Sequence, residues 1–236
     1  MGTRLSALIV SYDSGAYALA LAKSLAAQWS MLGKSREELE LVVVDNASPN
    51  DPSRELAALE ALGVRVVRAT SNLGYAAGMN LALSATRGAR DDFVLVLNPD
   101  LALFPGALGR MLESAERRER LGALGPRAFL DPARTWRMPP NRLPTPAEER
   151  SRCLARADSV LARRLSDERT RHALREWTAS EPCEVEMLSG ACLLLRRSAI
   201  EAAGGLFDAR YPLYFEDTDL FRRLANAGLE LVFDPA

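Results

Sequence analysis

The sequence predicts a single α/β domain built on a mostly parallel sheet with helices on both faces. Three observations carry that expectation. Short apolar runs alternate with longer helical patterns through the first half, the pattern of a parallel sheet covered by crossover helices. Four of those runs stop on polar residues, which gathers candidate ligand-binding groups at one edge of the sheet. The chain has 236 residues, 48% of them hydrophobic, enough for one substantial core.

Leu5 to Val10 reads as the first strand, followed by helical composition from Ala16 to Trp29. Leu39 to Val44 is the second, and it stops at Asp45-Asn46-Ala47-Ser48-Pro49-Asn50. Asp51 is suited to cap a helix that has Pro52 at its first position and ends at Gly63. Val64 to Arg68 forms the third strand. Asn72 to Asn80 leads into an Ala-rich helix reaching about Thr86, and Phe93 to Leu97 is the fourth strand, ending on Asn98-Pro99-Asp100. The polar groups at these ends are Ser11-Tyr12-Asp13, Asp45-Asn46, Asn72 to Gly74, and Asn98 to Asp100. Asp, Asn, Gly and Pro also suit any loop after a strand, so one such loop alone assigns no function.

The second half has a different texture. Pro132 to Pro146 is rich in Pro and Arg and reads as loop or short irregular strands. Ala147 to Thr178 has helical composition, with a break expected at Ser166-Asp167. Arginines recur along it, from Arg150 through Arg163 and Arg164 to Arg175, diluted by acidic residues. Such a stretch fits either a solvated helix face or a surface for a membrane or lipid diphosphate. Val185 to Leu188 and Cys192 to Leu195 are β-like and flank Ser189-Gly190. A short helix from Ser198 to Ala203 ends at Gly204-Gly205. The aromatic stretch Tyr211 to Phe215 then leads into Glu216, Asp217 and Asp219 and a helix from Leu220 to Ala227.

Composition excludes several classes. A formal net charge of −1 gives no overall field for nucleic acid. The three cysteines, Cys153, Cys183 and Cys192, have neither disulfide-framework nor zinc-site spacing and suit a reducing cytoplasm. His172 is the single histidine, with no ligand cluster around it, which disfavours a zinc hydrolase, and it reads as a surface residue. No apolar run approaches the roughly 20 residues of a membrane span, and the N-terminus lacks a signal-peptide core.

The acidic trio admits two readings on local features. Carboxylates stabilise a helix N-terminus, so capping accounts for one or two of them. The aromatic lead-in instead suggests a wall that excludes water and lifts a carboxylate towards the range of a general base.

Taken together, the segments LIVSYDS, VVVDNASPND, NLGYAAGMN, VLVLNPDL, LSGACLLLRR, GGLFDARYPLYFEDTDLFRRL and AGLELVFDP resemble glycosyltransferase family 2 proteins. The likeness is greatest to the bacterial rhamnosyltransferase-like subgroup of cell-surface polysaccharide synthesis. It covers most of the chain outside about 130 to 180. It implies the GT-A fold, a Rossmann-like sheet, with a nucleotide-sugar half at 1–129 and an acceptor half at 130–236. It further implies an inverting hexosyltransferase that uses Mg²⁺ or Mn²⁺ and a dTDP, UDP or GDP sugar, with a glycan or lipid-linked acceptor. Such an enzyme would work in the cytoplasm or peripherally at the inner membrane face.

Residue by residue, the resemblance places Ser11 and Tyr12 at the nucleobase side, with the Tyr12 ring available for stacking. Asp45 would accept hydrogen bonds from the base or ribose. Asn72, Gly74, Gly78 and Asn80 match the segment lining the diphosphate and donor sugar, where glycines allow close approach. Asn98 and Asp100 match the family's Asp-x-Asp motif, with Asp100 the metal ligand and Asn98 a neutral departure from the first Asp. Asp217 matches the catalytic base, with Glu216 beside it, and Tyr214 and Asp219 lie on the acceptor side. The family pattern continues beyond Ala236 to a further strand and a histidine, so the sequence reads as truncated. A catalytically impaired nucleotide- or partner-binding module is the alternative. Gly2-Thr3-Arg4-Leu5 resembles a nucleotidyltransferase phosphate loop but precedes the first strand rather than following it. No G-x-G-x-x-G follows that strand, which disfavours dinucleotide binding.

Overall fold

The computed structural model describes residues 4–139, 150–151, 153–154 and 159–235. Its centre is the parallel set β1 (Leu5–Ser11), β2 (Leu39–Asp45), β3 (Arg65–Arg68) and β4 (Phe93–Leu97). β5 (Leu121–Pro126), β6 (Cys183–Glu184), β7 (Cys192–Arg196) and β8 (Glu230–Asp234) complete one eight-stranded sheet in the order β3-β2-β1-β4-β7-β5-β8-β6. Only β7 and β6 run against the rest.

Every residue of β1 and β4 is buried, as expected of a central parallel strand covered on both faces. Alternate residues feed two cores. Leu5, Ala7 and Ile9 point to one face, with Trp29 of α1 (Gly15–Met31), Leu56 of α2 (Ser53–Ala61) and Leu108 of α4 (Ala107–Glu116). Leu8 and Val10 point to the other, with Met79 of α3 (Gly74–Ser84), Ile200 of α6 (Arg197–Ala202) and Phe221 of α7 (Glu216–Asn226). The remaining helix, α5 (Ser159–Thr178), lies between β5 and β6 in sequence.

The strand order places the site. The chain moves from β1 outward to β2 and β3, then returns to β4 on the other side of β1. That reversal is a topological switch point, where loops diverge and leave a crevice at the carboxyl ends of the strands. Antiparallel β7 starts at this same end, with Cys192 opposite Leu97. Ser189-Gly190-Ala191 therefore lies beside Asn98-Pro99-Asp100, and the Asn98 N–H donates to the Ala191 carbonyl at 2.9 Å.

Several sequence expectations are corrected. Asp51 does not cap α2 from the adjoining position: Pro52 occupies the N-cap, and Asp51 instead accepts hydrogen bonds from the Ser53 N–H and hydroxyl. No helix break occurs at Ser166-Asp167, because α5 continues through both. Val185 to Leu188 is not a strand; the strand is Cys183–Glu184, and the Val185 N–H continues its pairing to Leu231. α7 begins at Glu216, four residues before the expected Leu220, so its acidic trio forms its first turn. α4, β5 and β8 add to the predicted elements. Within Pro132 to Pro146, the described part forms a turn closed by a bridge between Phe129 and Arg137; residues 140–146 and the side chain of His172 lie outside the described residues.

Candidate functional site

The loops after β1 and β2 and the start of α3 are tied into one polar floor. The Asp13 N–H donates to the Ser48 hydroxyl at 2.9 Å, and that hydroxyl donates to the buried Asp45 carboxylate. Ser11 and Ser14 hydroxyls meet at 3.0 Å. Asn46 is the pivot. Its amide donates to the Asn72 side chain at 3.0 Å and to the Gly74 carbonyl, while its oxygen accepts from the Leu73 N–H at 2.9 Å. Tyr12, in the loop after β1, is 49% exposed.

Gly74 is required where it stands. Its φ is +77°, and a Cβ would lie 2.7 Å from the Pro212 carbonyl oxygen. The next N–H, of Tyr75, donates to that oxygen at 2.7 Å, locking the start of α3 to the segment that precedes the acidic trio. Gly74→Ala should therefore destabilise the fold by roughly 2–3 kcal/mol, from left-handed strain and the weakened hydrogen bond. Urea denaturation checks this, and a loss below about 0.5 kcal/mol would show that the junction yields.

Asn80 sits differently from a ligand-facing residue. Its amide donates to the Phe207 carbonyl at 2.7 Å and accepts from the Phe207 N–H at 3.1 Å, fastening α3 to the chain after Gly205. Gly78 packs against Val10, with 3.0 Å available to a Cβ. Asp219 is likewise engaged. It pairs with Arg223 at 2.7 Å, and Arg223 also donates to the carbonyls of Ala203, Gly205 and Leu206. These two polar side chains hold the 203–219 segment against α3 and α7.

Tyr214 and Phe215 have φ of +66° and +67°. Left-handed geometry costs a non-glycine residue about 1–2 kcal/mol. Leu220, Phe221 and Leu224 of α7 are fully buried, and each contributes about 1.5–3 kcal/mol, enough to hold the strained pair. The strain turns the chain so that Glu216 is buried and Asp217 faces the β7 loop. Tyr214 and Phe215 themselves are 72% and 62% exposed, so they do not form the closed wall that the sequence suggested.

Desolvation comes from the other side. Burial raises the pKa of Glu216, partly offset by its own N–H and reinforced by Asp217. Its Oε2 is buried without a hydrogen-bond partner, and so is the Tyr75 hydroxyl. Burial also raises the Tyr75 pKa strongly, followed by the charges of Glu216 and Asp217. Sequence reasoning missed Tyr75, which looks like a spacer between Gly74 and Gly78. Asp217 Oδ1 accepts from the Thr218 N–H at 2.6 Å and from its hydroxyl at 3.3 Å. Oδ2 lies over Gly190, 2.9 Å from where a Cβ would stand.

The Ser189-Gly190-Ala191 loop thus touches both ends of the arrangement: Asn98 through Ala191, and Asp217 through Gly190. Asp100 is exposed at the turn. Among the described residues no group of three or more His, Cys, Asp or Glu side chains could hold a metal.

The family model described as Glycosyl transferase family 2 matches residues 6–204. The chain belongs to glycosyltransferase family 2. Two Mycobacterium tuberculosis strains carry an N-acetylglucosaminyl-diphospho-decaprenol L-rhamnosyltransferase that is 34% identical over 214 residues, 84% of this chain. This family 2 chain spans 64% of that relative's length. Mannosyltransferase PcManGT from Pyrobaculum calidifontis, solved with GDP-Man and Mn²⁺, has a similar fold, with a TM-score of 0.65 at 17% identity over 100% of this chain and 55% of its own. S. aureus TarS 1-349 with UDP has a TM-score of 0.64 at 16% identity, over 99% and 61% of the two chains. The fold is the GT-A arrangement expected from the sequence.

Proposed function

We propose that the chain is an inverting glycosyltransferase domain that moves a hexose, rhamnose in our reading, from a nucleotide-diphosphate sugar to a hydroxyl of a glycan or lipid-linked acceptor. The observation that carries this is the shared loop. The Asn98-Pro99-Asp100 turn is bonded to Ala191, and Asp217 Oδ2 overlies the adjacent Gly190. Leaving-group and base functions therefore stand on two sides of one short segment. The relative's rhamnosyl activity on a lipid diphosphate supports the choice of sugar and acceptor.

In this reading residues 1–129 hold the donor. Tyr12 stacks on the base, Asp45 accepts from base or ribose, and Gly74 and Asn72 flank the diphosphate. Residues 130–236 present the acceptor. Its hydroxyl gives its proton to Asp217 Oδ2 as its oxygen bonds to the anomeric carbon. The bond from that carbon to the diphosphate breaks with its electron pair, the nucleoside diphosphate leaves, and one displacement inverts the centre. Glu216 and Tyr75, whose Oε2 and hydroxyl are buried, support the site from within the fold as positioning residues rather than by touching the sugar.

Asp100 offers the hard oxygen that Mg²⁺ or Mn²⁺ prefers, and Asn98 a neutral amide oxygen. When bound, the cation supplies Lewis-acid stabilisation of the leaving diphosphate. One exposed carboxylate is a poor site alone, so donor oxygens complete the set. Mn²⁺ should consequently bind weakly to the free protein and tightly with nucleotide. Thermal shifts with dTDP, UDP or GDP, each with and without Mn²⁺, test both points, since a ligand at 100 times its Kd adds about 2.7 kcal/mol. Stabilisation by one nucleotide only when Mn²⁺ is present supports the reading. No response to any nucleotide overturns it, and binding without donor turnover favours a nucleotide-binding module. Among the described residues no helix is long and apolar enough to cross a membrane; we place the reaction in the cytoplasm, at the inner membrane face when the acceptor is lipid-linked.

A further inference from the structure

A second arrangement lies beyond the Ser189–Ala191 loop. A shallow open cleft is lined by Leu101, Met138, Met187, Leu188 and Phe233, with Ser189 and Ala191, the two neighbours of Gly190, also in its wall. Met138, Glu176 and Phe233 also line a second, smaller cleft, whose other walls include Arg127, Arg137 and Trp177. The two are one groove that runs from the carboxylate end of the sheet to the C-terminal turn of α5.

At its outer end stand two guanidiniums with no carboxylate partner among the described ion pairs. Arg127 donates to the carbonyls of Ala179, at 2.6 Å, and Trp177; Arg137 donates to Trp177 at 2.5 Å. Both are anchored on the same helix end and held near each other at a cost. The pKa of Arg127 is lowered, first by burial and then by the charge of Arg137. Each guanidinium has five N–H donors, so donors remain after these carbonyl bonds. The carboxylate of the groove is Glu176, whose pKa burial pushes up to about 7, with Arg175 opposing and Glu186 adding to the rise. Beside the groove, Trp136 and Leu130 are 69% and 66% exposed, and Trp177 is 39% exposed. The Leu130 N–H to Trp136 carbonyl bond and the Arg137 bond to Trp177 join these residues into one surface.

We propose that this groove binds a lipid-linked sugar diphosphate, with Arg127 and Arg137 as its diphosphate clamp. Two adjacent guanidiniums match a diphosphate, which has oxygens enough for both forks. The cleft between the clamp and Asp217 takes the sugar, whose C–H faces suit Met138, Met187 and Phe233. The alkyl chain leaves across Trp136, Trp177 and Leu130, side chains of the type that settles at a bilayer interface. The order sugar, diphosphate, chain then follows the groove outward. The direction of the acceptor rests on the transferase reading, but the binding itself requires no turnover.

Farnesyl diphosphate tests the groove, with EDTA present to keep the ligand off any metal-assisted site, and farnesol and inorganic pyrophosphate as the partial ligands. Isothermal titration should show farnesyl diphosphate binding at least about tenfold tighter than either, because only it engages the clamp and the apolar exit surface together. Arg137→Gln and Arg127→Gln should each weaken it about tenfold. Trp136→Ala should weaken it several-fold as well; it removes an exposed ring from the chain's path, adds no charge beside the guanidiniums, and so guards against a variant that merely loosens α5. Nucleotide-dependent thermal stabilisation with Mn²⁺ should be unchanged in all three. Wild-type binding that Trp136→Ala and Arg137→Gln leave intact overturns the proposal, as does the absence of farnesyl diphosphate binding. Pyrophosphate binding as tightly as farnesyl diphosphate also overturns it, by reducing the groove to a simple anion site. Failure of the transferase reading would show instead as loss of the nucleotide response in the wild type.

Discussion

Asp217→Asn should lower transfer by about 10³-fold, near 4 kcal/mol of transition-state stabilisation, while leaving nucleotide affinity within about twofold. The geometry separates the two oxygens of this side chain. Oδ1 is occupied by the Thr218 N–H and hydroxyl, and Oδ2 faces Gly190. Asparagine keeps the first oxygen and its bonds, so the turn should hold its shape. At the second position it places an amide NH₂, which cannot take a proton from the acceptor. Tyr12, Asp45 and Asn72 belong to the β1, β2 and α3 loops and do not bond to Asp217, so donor affinity should survive. Glu216→Gln should cost less, because its Oε2 has no partner to lose and Asp217 remains. Steady-state transfer and nucleotide titration on both variants decide the matter. Transfer above about one tenth of wild type in Asp217→Asn would move the base elsewhere, with Glu216 the next residue to test.

The strands nearest the switch point were legible because a doubly covered parallel strand has no polar alternation to hide it. Leu8 to Val10, Leu41 to Val44 and Phe93 to Leu97 are continuous apolar runs followed at once by polar turns. Leu121–Pro126 is the opposite case. With two glycines and a terminal proline, its composition describes a turn, yet it forms β5. The reason is tertiary: a Cβ at Gly122 would lie 3.0 Å from Leu229, and one at Gly125 the same distance from Leu188. The glycines make room for neighbours that local pattern cannot reveal.

The site divides in the same way. The order of polar loops placed Asp45, Asn72, Asn98 and Asp100 at the carboxyl ends of strands, since loop position follows from strand position. What each side chain bonds to was not readable. Asn80 has the residue type and spacing of a ligand contact, yet both ends of its amide are taken by Phe207. Tyr75 looked like filler, but the handedness of α3 and the Pro212 contact turn its hydroxyl into the acidic end of the site. The positive φ values at Tyr214 and Phe215 had no sequence signal, because neither residue type favours that region. Such strain is retained where surrounding packing over-determines it, and here it sets the entry of the chain into Glu216 and Asp217.

The sharpest test of that placement is a residue that touches no substrate. Gly190→Ala should cut transfer by about 10²-fold and leave folding stability within about 1 kcal/mol. The added methyl group would stand 2.9 Å from Asp217 Oδ2 and 3.2 Å from its Cβ, closer than carbon and oxygen tolerate. Gly190 has no positive φ, so alanine adds no backbone strain at its own position. The neighbour that must give is a carboxylate, and its Oδ1 bonds to Thr218 let it swing rather than break away. A displacement of about 1 Å at a general base is enough for a hundredfold loss, because proton transfer requires the acceptor hydroxyl within hydrogen-bond reach. Stability should change little, since the loop keeps its Asn98–Ala191 bond and the buried residues of β7 are untouched. Rate and urea midpoint measured on the same preparation separate the outcomes. Undiminished transfer would show that Asp217 Oδ2 does not work against this loop, and equal losses of stability and rate would assign Gly190 to packing alone.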